Sequence, residues 1–314
     1  MSEIIAFCSQ LSMEEERDWL NKISPLMNSL KLVPFHQLTQ DQKESVKVAI
    51  VANPKPEELT ELINLQWVQS LWSGVERLLT ELSNNNVKIV RMVDPTLSST
   101  MAEAVLAWTL YLHRDMPKYQ SQQRNKQWEQ HELIDINERR IGILGLGALG
   151  KASAKKLSEN GFNVSGWSRT LSDLQGISCY HGKEGLSHIL KETDILICLL
   201  PLTDETKGLL NKEILKKLPE SASLINFSRG QIIIEDDLLY CLENNYLNHA
   251  VLDVFNTEPL PRNHPFWESP NITVLPHISA PTNKKSASRL VANNILNFFE
   301  TSDIPSAVIR NNGY

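Results

Sequence analysis

Three polar side chains follow predicted strands at positions where they could do chemistry together. Arg229 ends the segment "LINFSRG", Glu258 follows the strand of "LDVFNTEPLP", and His277 follows the strand of "ITVLPHISAPT". Ligands of open α/β sheets bind beyond the carboxyl ends of the strands, so these side chains are expected to share one crevice. An arginine fork binds carboxylates and polarises carbonyl oxygens, and a histidine beside a carboxylate stays charged and donates a proton. These three residues together therefore predict that the protein catalyses a reaction.

Each of the three residues also has a purely structural interpretation. An arginine after a strand could form a salt bridge, Glu258 lies beside two prolines and could be a turn residue, and a lone histidine is more often structural. The other seven histidines, including His264, are interpreted as structural.

A glycine-rich loop precedes these residues in the chain. The segment "RRIGILGLGALGKASAKKL" has the G-x-G-x-x-G spacing, between an apolar strand and an alanine-rich helix. In dinucleotide-binding proteins the glycines allow a tight turn, a close approach to the pyrophosphate and close helix packing. The alternative is a plain strand-to-helix turn. The predicted cofactor-binding residues here are Gly145, Leu146, Gly147, Ala148, Leu149 and Gly150.

The next predicted strand ends in "GWSRT", where an NAD site usually has an acidic residue. Residues 160–172 contain no Asp or Glu. A carboxylate there binds the ribose hydroxyls and repels a 2'-phosphate, whereas Arg169 offers a charge for that phosphate and Ser168 and Thr170 offer hydroxyls. NADPH is therefore predicted as the preferred cofactor, with NADH possible if Arg169 is only a solvated turn residue. Lys151, in the first turn of the helix, is a further candidate contact.

Strand and helix signals alternate along most of the chain, which predicts α/β architecture with parallel sheets. Before residue 95, "IIAFCS" and "VKVAIVAN" are predicted strands, and "MEEERDWLNKISPLMNSL" and "PEELTELINL" are predicted helices. The stretch from Asp94 to Trp128 predicts one long helix joining two units, because it opens with Pro, Ser and Thr and lacks an internal glycine. Six later strand signals predict a second, doubly wound sheet: "RRIGILGLG", "FNVSGWS", "TDILICLLP", "ASLINFS", "HAVLDVF" and "NITVLPH".

Composition favours small-molecule chemistry. The 314 residues carry a net charge of −6 without a basic block, which disfavours nucleic-acid and membrane partners, and the length favours two domains. The start "MSEIIAFCSQ" does not resemble a secretory signal, and "ILICLLPL" is too short to span a bilayer. The four cysteines are scattered singly, which predicts reduced thiols in a cytoplasmic protein.

The motifs "SRG", "LDVFNTEPLP" and "HPFWESPNITVLPH" together resemble the D-isomer-specific 2-hydroxyacid dehydrogenase family, over residues 70–282. Within that family, "GWSRT", "LLPLTDETKGLLN", "EDDLL" and the terminal "GY" are most similar to the glyoxylate/hydroxypyruvate reductase A branch. The resemblance implies two Rossmann-like doubly wound parallel-sheet domains. Residues 1–95 and 283–314, with a final helix from about 283 to 314, would form a discontinuous flavodoxin-like substrate domain. Residues 96–282 would form the NAD(P)-binding Rossmann domain, and closure of the two would exclude water from the reaction.

The resemblance also implies site residues that the motifs alone do not. It places Asp253 near the nicotinamide carboxamide and lets Leu200 and Pro201 line the cofactor, although the first could cap a turn and the others could be packing. It assigns the backbone N–H groups of Ser73, Gly74 and Val75 to the substrate carboxylate. The large side chain of Trp72, just before them, could cap the pocket and restrict it to small substrates. A plain turn and an aromatic packing residue are the alternatives.

The reaction implied by the resemblance is NADPH-dependent reduction of glyoxylate to glycolate and of hydroxypyruvate to D-glycerate. Arg229 would act as the electrophile and Glu258 with His277 as the proton donor, so no metal is expected. An NAD-linked dehydrogenase for lactate, branched 2-oxoacids or phosphoglycerate is one alternative, which Arg169 disfavours. A non-catalytic dinucleotide-sensing protein is another, which the complete Arg, Glu and His set disfavours.

A homodimer is also expected from the resemblance, through the long helix that starts near Ser98. The apolar face of that helix could instead belong to the core of its own subunit; its residues are Met101, Val105, Leu106 and Trp108.

Overall fold

A computed structural model describes residues 3–27, 29–82 and 86–309. The chain divides into two compact units, Met1–Thr96 with Thr282–Tyr314, and Leu97–Pro281. The terminal "GY" and the last part of the predicted final helix lie outside the described residues. The division of the chain does not show which unit binds substrate and which binds cofactor, so these functions stay predictions.

The first unit contains a five-stranded parallel sheet with the order β2-β1-β3-β4-β5. This is the flavodoxin-like order, so the predicted fold class is confirmed for this unit. All residues of the central strand β3 are buried, as expected for a parallel sheet covered on both faces. The strands are β1 (Ile4–Ser9), β2 (Lys31–Pro34), β3 (Val48–Ala52), β4 (Trp67–Ser70) and β5 (Lys88–Val90).

Prolines and caps end the helices of this unit earlier than the sequence suggested. The first helix stops at Ile23 because Pro25 follows, and the chain continues as a short 3-10 turn. The final helix was expected to reach residue 314 but ends at Thr301, where Ser302 adopts a left-handed conformation with φ 65°. The helices are α1 (Met13–Ile23), α2 (Gln40–Ser45), α3 (Pro56–Thr60), α4 (Glu76–Glu81) and α11 (Lys284–Thr301).

The second unit contains a seven-stranded parallel sheet with the order β12-β11-β10-β9-β6-β7-β8. Counted from β6, this is the Rossmann order, which confirms the fold class of the second unit as well. The six predicted strands are present, and β8 is an addition that the sequence reading missed. The strands are β6 (Arg140–Leu144), β7 (Asn163–Ser168), β8 (Ser178–His181), β9 (Ile195–Cys198), β10 (Ser223–Asn226), β11 (His249–Leu252) and β12 (Ile272–Val274).

The predicted single long helix is two helices, α5 (Pro95–His113) and α6 (Met116–Arg124). The break lies at Asp115, which has φ 52°, two residues before Pro117 in the first turn of α6. Proline lacks an N–H donor and cannot continue a helix, so one straight helix through this point was a wrong prediction. Met101 and Val105 are buried in the core of the second unit, so they serve that core. Among the described residues, no helix is long and apolar enough to cross a bilayer.

The remaining helices pack on the second sheet and follow its strands in the chain. They are α7 (Ala148–Glu159), α8 (Gly182–Lys191), α9 (Lys212–Leu215) and α10 (Glu235–Glu243).

Candidate active site

The glycine-rich loop connects β6 to α7, and its three glycines have different reasons to be glycine. Gly145 has φ +104° and approaches the next strand connection so closely that a Cβ would lie 2.7 Å from the Leu199 carbonyl oxygen. A Cβ on Gly150 would lie 1.8 Å from the carbonyl oxygen of Gly145. A Cβ on Gly147, in contrast, would meet no protein atom within 4 Å. Packing therefore requires the outer two glycines, and the middle one leaves open space at the start of the helix.

That helix, α7, begins without a side-chain cap. Gly147 is its N-cap residue, and its first turn contains no acidic residue. The first N–H groups of a helix lack intrahelical acceptors and carry the positive end of the dipole, which suits a phosphate. Of the other predicted loop residues, Leu146 is buried and Leu149 packs on the core, while Ala148 is exposed. The open space beside Gly147 and the uncapped helix start fit a pyrophosphate.

The segment "GWSRT" spans the end of β7 and the turn after it. Gly166 is required by packing, because a Cβ there would lie 2.5 Å from the Leu146 side chain. Ser168 donates a hydrogen bond to the Thr170 carbonyl oxygen at 2.7 Å, which holds the turn in shape. The Arg169 side chain is 43% exposed, with Nη1 4.0 Å from the Glu205 carboxylate. An exposed ion pair at that distance contributes little to stability.

Leu200 and Pro201, after β9, hold a loop through their backbone carbonyls. The Leu200 carbonyl accepts a hydrogen bond from the Ser228 hydroxyl, and the Pro201 carbonyl accepts one from Thr206 at 2.7 Å. Leu200 itself is buried. Leu200 therefore has the packing role that was the alternative interpretation. Contact of Leu200 or Pro201 with a cofactor stays a prediction.

Arg229 lies in a turn directly after β10, and three neighbours fix that turn. The buried side chain of Asn226 donates to the Arg229 carbonyl at 3.1 Å and accepts from the Ser228 N–H at 3.2 Å. A Cβ on Gly230 would lie 2.0 Å from the Phe255 carbonyl carbon, so the turn packs directly on the backbone after β11. The guanidinium donates to the Ser228 carbonyl at 2.7 Å. The position of Arg229 is therefore set by its own turn.

Glu258 and His277 form a hydrogen-bonded pair. His277 Nδ1 lies 2.7 Å from Glu258 Oε2, and the other carboxylate oxygen accepts the Phe255 N–H at 2.9 Å. The His277 side chain is 55% exposed. Because Nδ1 is used by the glutamate, Nε2 is the ring nitrogen that a ligand can reach.

The pair favours the charged form of the imidazole. The hydrogen bond to Glu258 raises the pKa of His277 above its ordinary value, against a smaller opposing effect of burial. Burial alone would raise the pKa of Glu258, but the hydrogen bonds from His277 and from Phe255 lower it. The charge of Arg229 acts on both groups and lowers both pKa values, so the three predicted residues share one electrostatic site.

In the first unit, the loop after β4 presents backbone donors. Ser70 Oγ accepts the Trp72 N–H at 3.0 Å, and the Trp72 carbonyl accepts the Met92 N–H at 2.9 Å. Trp72 also packs edge-on against Trp19, with ring centroids 6.4 Å apart. Within residues 3–27, 29–82 and 86–309, the N–H groups of residues 73–75 have no protein acceptor. Consecutive N–H groups without a protein acceptor can bind an anion.

Residues 106–279 match the model of the family described as "D-isomer specific 2-hydroxyacid dehydrogenase, NAD binding domain". The match covers more than half of the chain. The chain belongs to the D-isomer specific 2-hydroxyacid dehydrogenase family. It is accordingly an oxidoreductase with the NAD-binding domain of that family, which confirms the resemblance seen in the motifs.

Individual relatives of this dehydrogenase agree with the assignment. A glyoxylate/hydroxypyruvate reductase A from Yersinia enterocolitica is 37% identical over 287 residues, covering 90% of this chain and 91% of the relative. A family member from Xanthobacter autotrophicus Py2, solved in complex with NADPH and MES, superposes with a TM-score of 0.92 at 34% identity over 100% of both chains. An NADPH-dependent glyoxylate/hydroxypyruvate reductase from Sinorhizobium meliloti, solved with NADP and sulfate, gives 0.88 at 29% identity, covering 99% of this chain and 100% of the other.

Asp253 positions the histidine loop of this dehydrogenase, a contact that the sequence reading did not predict. Its carboxylate is buried and accepts the N–H groups of Ile278 at 2.8 Å and Ser279 at 2.9 Å. These are the two residues after His277, which itself has φ 54°. Asp253 therefore clamps the loop in the conformation that turns His277 toward Glu258. Its predicted contact with the nicotinamide stays a prediction.

Asn226 and Ser228 are the other positioning residues that the sequence reading missed. Both are buried polar residues, Asn226 at the last position of β10 and Ser228 two residues after it. Buried polar groups need hydrogen-bond partners. Polar residues within the run "LINFS" therefore could have indicated that this strand end positions a functional side chain.

The Glu258 to Gln variant tests the pairing directly. A neutral amide cannot stabilise the imidazolium as a carboxylate does, so the pKa of His277 should fall toward its ordinary value. An NMR pH titration of the His277 ring protons measures the shift. Glu268→Gln, an exposed glutamate of the same unit, is the matched control and should leave the titration unchanged. Equal His277 titration in wild type and Glu258→Gln would contradict the pair.

Proposed function

We propose that this dehydrogenase reduces small 2-oxoacids with NADPH, converting glyoxylate to glycolate and hydroxypyruvate to D-glycerate. The observation that carries the proposal is the 2.7 Å contact between His277 Nδ1 and Glu258, which favours a protonated imidazole on a half-exposed side chain. The NADPH dependence stated for the Sinorhizobium meliloti reductase, and the name of the Yersinia enterocolitica relative, support the same substrates and cofactor here.

The proton step is assigned to His277 and Glu258. In this proposal His277 Nε2 hydrogen-bonds the ketone oxygen and transfers its proton to that oxygen as the C–O bond becomes single. Glu258 then stays ionised beside the imidazole, which has become neutral, and fixes its orientation. Reduction therefore requires protonated His277, and its rate should fall as pH rises through the raised pKa of that residue.

Arg229 is assigned the electrophilic role. Its guanidinium can bind the substrate carboxylate and the ketone oxygen through parallel N–H donors, and it stabilises the negative charge that develops on that oxygen. The backbone N–H groups of Ser73, Gly74 and Val75 are proposed as further carboxylate ligands, because they lack protein acceptors within the described part of the chain. Trp72 is proposed to limit the substrate to small molecules.

The cofactor site fits a dinucleotide on the residues present. Bound NADPH supplies the hydride. The Gly145–Gly150 loop and the uncapped start of α7 would hold the pyrophosphate, and Arg169 with Ser168 and Thr170 would hold the 2'-phosphate. Leu200, Pro201 and Asp253 are proposed to contact the nicotinamide half.

The activity is tested by crossing two cofactors with four substrates. Purified protein is assayed with NADPH or NADH against glyoxylate, hydroxypyruvate, pyruvate and a bulky branched 2-oxoacid. We expect oxidation of NADPH with the first two substrates, a lower kcat/KM with the bulky acid, and slower turnover with NADH. Preference for NADH with a bulky or phosphorylated substrate would favour an NAD-linked dehydrogenase. Tight NADPH binding without any turnover would favour a sensor.

Cofactor choice is tested by Arg169→Asp. The change removes the proposed 2'-phosphate ligand and adds a carboxylate that repels this phosphate and accepts the ribose hydroxyls. We expect KM for NADPH to rise about 10- to 100-fold, as for loss of a charged hydrogen-bond partner, with KM for NADH falling or unchanged. Lys155→Asp, an equal charge change on an exposed residue of α7, is the control. Unchanged affinity for NADPH would mean that Arg169 is only a surface residue.

The proposal includes a cytoplasmic homodimer. Exposed apolar side chains in and after α5 and α6 support an interface there, among them Leu110 and Trp128, which is 98% exposed. Light scattering on the purified protein is expected to give twice the 35.6 kDa mass of one chain.

A further inference from the structure

Arg91 is a charged residue of the first unit that the roles above do not use. It follows β5 directly, where it interrupts the apolar run of "VKIVRMVD". The side chain is partly buried, and its Nη1 donates a long hydrogen bond, 3.4 Å, to the Ser73 hydroxyl. Arg91 therefore lies against the loop whose N–H groups are proposed to bind a carboxylate.

No carboxylate among the described residues lies within 4 Å of the Arg91 guanidinium. The acid nearest in sequence, Asp94, is engaged elsewhere: one oxygen accepts the Thr96 N–H and the other accepts the Ser286 hydroxyl. A partly buried cation without a counterion costs free energy, and burial lowers the pKa of Arg91. An arginine remains charged despite such a shift, so the cost persists until an anion binds.

The backbone holds this cation beside the loop. The N–H of Met92, the residue after Arg91, donates to the carbonyl of Trp72, the residue before Ser73, at 2.9 Å. This bond fixes the strand end against the loop, and the Arg91 to Ser73 contact places the guanidinium beside the first residue of the 73–75 segment. A guanidinium has five donors, and within the described chain Arg91 uses one of them on a protein acceptor. The charged guanidinium thus lies next to Ser73, the first of three residues whose backbone N–H groups have no protein acceptor within the described chain.

We propose that Arg91 is a substrate-binding residue that pairs with the carboxylate of the 2-oxoacid, together with the backbone N–H groups of Ser73, Gly74 and Val75. The inference rests on the proposed function and deepens it. It explains how the first unit can require an acid rather than a neutral carbonyl compound as substrate. Ser73 acts as a positioning residue, because its hydroxyl accepts the hydrogen bond that orients the guanidinium.

The test compares wild type with Arg91→Gln and Arg91→Lys. For glyoxylate we expect KM to rise about 10- to 100-fold in Arg91→Gln, with a smaller rise in Arg91→Lys, which keeps a charge without the fork. The change in kcat should be smaller than that in KM, and KM for NADPH should stay the same. Lys88→Gln, an exposed residue of the same strand, is the control and should behave as wild type.

Substrate charge separates binding from a structural role. Wild type should prefer pyruvate to its neutral methyl ester, and Arg91→Gln should show a smaller acid-to-ester ratio of kcat/KM. A structural arginine would instead lower the thermal midpoint and weaken NADPH binding while the acid-to-ester ratio stayed constant, and that result would overturn the proposal. So would an unchanged KM for glyoxylate in Arg91→Gln.

Failure of the proposed function is distinguished by a binding measurement that needs no turnover. Oxalate carries two carboxylates in the arrangement of a small 2-oxoacid, and its affinity is measured by calorimetry on each protein. Weaker oxalate binding by Arg91→Gln than by wild type supports the assignment even if no 2-oxoacid is reduced. Equal affinity in the two proteins, or none in either, overturns it.

Discussion

The His277→Ala variant is expected to reduce glyoxylate with a kcat/KM about 10²- to 10⁴-fold below wild type at neutral pH. Alanine removes the only group assigned to protonate the ketone oxygen, and water must then supply the proton. Glu258 is not assigned as the donor, because in wild type the hydrogen bonds from His277 and Phe255 keep its pKa below its ordinary value.

Binding of NADPH separates this loss from a folding defect. His277 is half-exposed and lies outside the core, so its truncation should leave the thermal midpoint and the dissociation constant for NADPH near those of wild type. His36→Ala, at an exposed histidine of the first unit, is the matched control. Wild-type turnover by His277→Ala would show that another group donates the proton.

The pH dependence of the residual activity adds a second criterion. Wild-type reduction should lose activity as pH rises through the raised pKa of His277. His277→Ala should lose this alkaline limb, because the titrating donor is absent. If the activity of His277→Ala still decreased over the same alkaline pH range, a residue other than His277 would cause that decrease.

The fold was predictable wherever strands are buried on both faces. The central strands β3 and β9 are apolar and wholly buried, and the sequence shows them as continuous apolar runs. The strands β2 and β8 were missed because they lie at the edges of their sheets and contain exposed residues. A short, half-exposed strand has little apolar periodicity to detect.

The site was predictable as a set of residue types but not as a set of contacts. Strand ends and motif spacing indicate Arg229, Glu258 and His277, because polar residues there follow buried runs. The clamp from Asp253 to the backbone of Ile278 and Ser279 joins residues 25 and 26 positions apart and depends on the pairing of β11 with β12. Such a contact requires the folded sheet, and residue order does not reveal it.

The role proposed for Arg91 could not be predicted from the sequence either. An arginine after a strand has many ordinary explanations in a sequence, such as a surface position or a salt bridge. The role of Arg91 depends on which hydrogen-bond acceptors surround its side chain. Ser73 accepts one hydrogen bond from it, and the Asp94 carboxylate accepts hydrogen bonds from Thr96 and Ser286 instead. The absence of a nearby carboxylate among the described residues could be established only from the structure.

The second large effect is expected for Arg229→Lys, with kcat/KM for glyoxylate falling about 10²- to 10³-fold, comparable to loss of one transition-state donor. Lysine keeps the positive charge but replaces the planar fork with a compact ammonium group, so two parallel hydrogen bonds to the substrate cannot form. The turn itself should survive, since Asn226 and Gly230 fix its backbone independently of the side chain at 229.

Comparison with Arg229→Gln separates the geometry of this residue from its charge. The Arg229 charge lowers the pKa of His277, so the neutral variant should move the alkaline limb of the residual activity to higher pH, while Arg229→Lys should leave it in place. Arg124→Lys, at an exposed arginine of the second unit, is the control for the conservative change. If Arg229→Lys retained wild-type kcat/KM, the residue would serve only as a charge, and the bidentate role would be wrong. Both variants could instead lose activity while the alkaline decrease stays at the same pH in each. Arg229 would then act on the substrate without affecting the pKa of His277.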